Sequence, residues 1–72
     1  MHLAAVDIRA RLGSNIRRLR TERGLSQEEF AHLANIHRTY VSDIERGARN
    51  PTIAIVQRFS DVLGVEAADL LR

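Results

Sequence analysis

The sequence predicts an all-α domain built from five short helices. Three observations carry this. Apolar residues recur at steps of three and four, which is one face of a helix. Residues suited to the left-handed stop of a helix, Gly24, Asn35, Gly47 and Gly64, punctuate the chain. Ser26 followed by Glu29 reads as a reciprocal helix-start cap.

The first helix is expected from about Ala5 to Arg23, on the spacing of Ile8, Leu12, Ile16 and Leu19. Gly13 lies inside it at a cost of roughly 1 kcal/mol relative to Ala, so Leu12 is the alternative start. Its other faces carry Arg9, Arg11, Arg17, Arg18, Arg20 and Arg23. A basic amphipathic helix also suits a membrane surface, but this one lacks bulky aromatic residues for insertion. After Gly24, Ser26 opens a two-turn helix with Phe30, Leu33 and Ala34 as its apolar stripe, and Asn35 closes it. A third helix lies between Asn35 and Gly47. Thr52, just after Pro51, caps a fourth, in which Ile53, Val56, Phe59 and Leu63 follow helical spacing up to Gly64. Val65, Leu70 and Leu71 suggest a last helix from about Glu66.

Seventy-two residues allow one domain, spanning 1–72, with a small core that a partner copy would help to stabilise. The absence of cysteine excludes disulfides and thiolate metal sites. His2, His32 and His37 show no ligand spacing, so neither a metal nor another cofactor is implied. No apolar run is long enough to span a bilayer, and the start is unlike a secretory signal; a cytoplasmic protein is expected. No small-molecule ligand is evident. An enzyme is disfavoured: there is no Gly-rich phosphate loop and no paired acid and base. The net charge is only +2, although every one of the 11 basic residues is Arg. Any nucleic-acid argument therefore rests on where the charges lie.

They lie around the third helix, about 37–46. At about 100° per residue, His37, Tyr40, Val41 and Ile44 fall on one side and Arg38, Thr39, Ser42, Asp43 and Arg46 on the other. Amphipathicity alone is ordinary for a surface helix. The chemistry is more specific, because Arg, Thr and Ser are donors for base edges and phosphates. Two short helices joined through Asn35 and Ile36, over about 26–46, form a helix-turn-helix arrangement with the second helix offered to the major groove of double-stranded DNA. Arg38 is the candidate for a guanine fork, Thr39 for a base contact, and Arg46 and Arg49 for phosphates. Asp43 repels phosphate, so it either accepts from cytosine or, the favoured role, orients a neighbouring Arg. His37 and Tyr40 are expected at the border between core and DNA faces. Thr52 combines a cap with a phosphate contact, and Gln27 sits at a helix N-terminus that favours phosphate.

The chain resembles the Xre/Cro/CI-type, lambda-repressor-like helix-turn-helix family. The resemblance rests on Ile16–Arg20, Glu22–Ala31, Tyr40–Gly47, Arg49–Pro51, Phe59–Val65 and Leu70–Leu71. It implies a compact five-helix DNA-binding domain and a dimer on a roughly palindromic operator. It also implies a backbone contact at Gln27 and an ion pair between Arg20 and Glu45 that orients the third helix. His37-Arg38-Thr39-Tyr40 and the single-domain length are similar to controller proteins of restriction–modification systems. Two positions depart from the family pattern: Asn35 stands where Gly is usual, and Glu66 where a Ser or Thr cap is common. Ile55 and Val62, seven apart, share a face that is not the core face. With Val65 and Leu70 they are the expected homodimer contact, in a region of about 53–71. The competing reading is a protein-interaction module, coactivator-like or antitoxin-like, on the same scaffold.

Overall fold

The computed structural model describes residues 7–72. Four α-helices, α1 (Ile8–Glu22), α2 (Gln27–Ala34), α3 (Arg38–Glu45) and α4 (Ile53–Leu63), precede a 3-10 turn, Ala67–Leu70. The expected fifth helix is this single turn. Glu66 offers no side-chain cap, and the Leu70 and Arg72 carbonyls accept from Asn15 Nδ2 at 2.9 and 3.1 Å, which ties the segment sideways to α1.

Each boundary has a local cause. Asp7 caps α1 by accepting from the Arg9 N–H at 2.9 Å. The helix therefore starts at Ile8 and does not run through from Ala5, which itself lies outside the described residues. Ser26 and Glu29 form the reciprocal cap of α2, at 3.0 and 2.8 Å. Asn35 adopts the left-handed conformation at φ 56° and the Ile36 N–H returns to Ala31 O at 3.0 Å, so the amide residue closes α2 as glycine would. Gly47, at φ 73°, lets the Ala48 N–H reach Asp43 O at 2.9 Å and ends α3 sharply. Thr52 caps α4 through its hydroxyl oxygen, 3.2 Å from the Ile55 N–H.

The core joins Leu12, Ile16 and Leu19 of α1, Phe30, Ala31 and Ala34 of α2, Val41 and Ile44 of α3, Phe59 and Leu63 of α4, and Leu70. The rings of Phe30 and Phe59 meet at 5.5 Å, tilted by 37°. Ser60 is buried with them; its hydroxyl donates to Gln57 O at 2.7 Å, which satisfies it within its own helix.

Three apolar assignments change. Leu33 is 56% exposed, because the inward face of α2 is centred on Phe30, Ala31 and Ala34. Ile53 is 88% exposed, because the first turn of α4 overhangs the core. Leu70 is fully buried beneath α1 and α4, so it is a core residue and not a dimer contact. Gly13 also differs in meaning. It is buried in mid-helix where α1 crosses the C-terminal end of α3, and a Cβ there would overlap Ile44 O and sit 2.8 Å from Glu45 O. Its missing side chain is what lets the two helices approach.

Candidate nucleic-acid interface

The inner face of α3 is fixed to the scaffold. Val41 and Ile44 are buried, and Glu45 lies beside them with its carboxylate forked by Arg20: Nε to Oε2 at 2.6 Å and Nη2 to Oε1 at 3.0 Å. The two side chains are only 10% and 4% exposed. Arg20 also donates to Leu25 O at 2.7 Å, and its bond to Glu45 raises its pKa above the usual guanidinium value. Gln27 Nε2 adds a bond of 3.0 Å to Glu45 Oε1. One buried carboxylate thus joins α1, the N-terminus of α2 and α3. Gln27 is half-buried with its amide turned to this carboxylate, while its neighbours Ser26 and Glu28 are exposed. Beside it an open polar depression of about 500 Å³, lined by Arg20, Ser26, Gln27, Glu28 and Arg38, leads to the start of α3.

The outer face begins with His37, Arg38 and Thr39, all exposed. The border position expected for His37 is corrected: it precedes the helix, and its Nδ1 accepts from the Thr39 N–H at 3.1 Å. The ring caps α3 instead of packing inward. Tyr40 is half-buried against the core. Ser42 is half-buried on the outer side, and Asp43 follows it.

Asp43 gathers the cations at the far end of α3. One carboxylate oxygen accepts from Arg46 Nη2, and the other from Arg49 Nε at 3.2 Å. The Arg49 guanidinium also lies over the Tyr40 ring, 4.7 Å from its centroid. Thr52, the cap of α4, is exposed. Sequence reasoning missed three of these ties. Arg49 lies beyond the Gly47 turn, so no helical spacing relates it to Tyr40 or Asp43. The Gln27–Glu45 bond joins residues of different helices. Arg58 of α4 donates to Ala34 O and Asn35 O, both at 3.3 Å, and so braces the turn between α2 and α3 from outside; nothing local in the sequence marks it.

Of the dimer candidates, Ile55, Val62 and Val65 are half-buried against their own core. Among the described residues, no group of three or more His, Asp or Glu could hold a metal ion, and no helix is long and apolar enough to cross a membrane.

A short helix braced on its inside and lined with donors on its outside, preceded by a second short helix across a tight turn, is the DNA-reading arrangement of helix-turn-helix proteins. Residues 16–70 match the HTH_3 helix-turn-helix family, and the chain belongs to it. It is similar to control protein C.BamHI of Bacillus amyloliquefaciens, with 42% identity over 66 residues, 90% of this chain and 82% of that protein. The crystal structure of the restriction–modification controller protein C.AhdI from Aeromonas hydrophila superposes with a TM-score of 0.83 at 37% identity, covering 86% of this chain and 94% of that one. The biofilm master regulator SinR, solved in complex with DNA, superposes with a TM-score of 0.81 at 37% identity, covering 85% and 98%. The protein is a sequence-specific DNA-binding transcriptional regulator and not an enzyme.

Proposed function

We propose that two copies of the chain bind a roughly palindromic operator, each laying α3 into the major groove, and regulate a promoter by occupying it. The observation that carries this is the exposure of Arg38 and Thr39 at the first turn of α3, beyond a helix face otherwise anchored by Val41, Ile44 and Glu45. Arg38 reads guanine and Thr39 a neighbouring base edge. His37, Ser42 and the N-terminal backbone of α2 at Gln27 line the path of the nearer strand. Arg46, Arg49 and Thr52 hold phosphates at the far end, with Asp43 orienting the two arginines. Ile55, Val62 and Val65 supply the two-fold contact, which sets the two α3 helices about 34 Å apart. On this reading the protein works in the cytoplasm, where a bacterial operator would be met. The likeness to control proteins supports a stand-alone regulator whose output follows its own concentration.

Selection of bound sequences from a random duplex library tests the whole reading. The expected result is an enriched inverted repeat with half-sites one helical turn apart. Recovery of no preferred sequence, with affinity for duplex flat across salt, would instead favour a protein partner.

A further inference from the structure

Asp43 is an odd residue for a surface meant to meet phosphates. Its side chain is 19% exposed, it lies in the C-terminal half of α3, where the helix dipole disfavours an anion, and it engages both arginines at that end of the helix. A carboxylate that accepts one N–H from each of two guanidinium groups makes charge-assisted bonds of the kind a phosphate would make.

Resting on the proposed DNA reading, we infer that Asp43 is a specificity-determining residue: a resident anion that competes with the DNA backbone for Arg46 and Arg49. In the free protein each arginine already gives one N–H to this carboxylate, from a side chain that is otherwise open to solvent, and Arg49 is held a second time by the Tyr40 ring. A duplex that docks loosely, by charge alone, must displace the carboxylate or approach it, and gains little. A duplex that fits α3 brings its phosphates close enough to take over these guanidinium N–H groups, with the arginines already in place. Asp43 therefore lowers affinity for arbitrary DNA more than affinity for the operator.

The test compares wild type with Asp43→Asn, which keeps the shape and removes the charge, on the selected operator and on random duplex across a salt series. The expected result is a gain of about fivefold in random-duplex affinity, the order of one unit charge's interaction across water. The gain on the operator is smaller, so the ratio of the two affinities falls. Equal gains on both duplexes, or none on random DNA, would overturn the inference. A measurement on wild type alone guards against a misfolded variant: the salt slope is expected to be steeper on the operator than on random duplex, by ~0.9 for each additional phosphate engaged. Equal slopes would again overturn it. Failure of wild type to bind any duplex would sink the DNA reading itself, a distinct outcome.

Discussion

Gly13 of α1 passes the carbonyl oxygen of Ile44 with no room for a methyl group between them. Helix propensity favours alanine over glycine by about 1 kcal/mol in mid-helix, whereas overpacking a buried contact costs about 1–3 kcal/mol or more. The obstacle here is backbone, which cannot rotate away. Gly13→Ala is therefore expected to destabilise the fold, seen as a lower urea midpoint; a raised midpoint would show that α1 and α3 can separate at no cost.

Breaking the Arg20–Glu45 pair should cost more than removing any surface ion pair. Glu45→Ala leaves a buried guanidinium with one partner fewer and orphans the amide of Gln27, an effect of about 3–5 kcal/mol. Arg9→Ala, which opens an exposed pair with Asp7, is expected to leave the denaturation midpoint nearly unchanged. Chemical denaturation of both variants makes the comparison.

Acid should weaken the fold through its helix caps. The Arg9 side chain, and then its backbone N–H, hold the Asp7 carboxyl at about 2, below its ordinary 3.8. The Ser26 N–H holds Glu29 below its ordinary 4.5. Both folded values lie below the unfolded ones, so the stability they contribute is complete above about pH 4.5 and is lost as pH falls through the folded values. Glu29→Gln is expected to lower the midpoint above about pH 5 and to flatten the acid limb, so that the variant and wild-type curves converge in acid.

On DNA, two arginines should fail in different ways. Arg38→Ala is expected to relax preference at one base pair per half-site, by about 1–3 kcal/mol. Arg46→Ala should weaken the operator and its single-base variants alike, random duplex less, and reduce the operator salt slope by ~0.9 per protomer. Binding of each variant to single-base operator mutants, at two salt concentrations, separates base reading from backbone holding.

Val62→Asp places a charge on the proposed two-fold face. Because Val62 is also half-buried against its own core, some loss of stability is expected with it; sedimentation of the protein that remains helical should report a monomer, and operator binding should become weaker and less cooperative. A dimer that survives this change would move the interface elsewhere.

The parts legible in the sequence were those with local causes. Ser26 with Glu29, Asn35, Gly47 and Thr52 each act within four residues of themselves, so α2, α3 and the start of α4 could be read directly. Amphipathic spacing did not fix the centre of the α2 face, which falls on Phe30, Ala31 and Ala34 and leaves Leu33 exposed, nor how far the core extends along α4, where Ile53 proved exposed. Leu70 looked like spare surface because part of its cover comes from α1, which lies far earlier in the chain. Gly13 looked like a defect for the same reason, since the carbonyls it accommodates belong to α3. At the interface, helical spacing grouped Arg38, Thr39, Ser42, Asp43 and Arg46, but it had no means of placing Arg49 on Tyr40 or Arg58 on the turn.

Because Glu45, held by Arg20 and Gln27, fastens α3 from within, the angle of that helix is independent of the side chains it displays to solvent. Positions 38, 39 and 42 can then be exchanged like type in a fixed frame. Descendants of one such domain could acquire new target sites by a few outward substitutions, with no need to rebuild the support behind them.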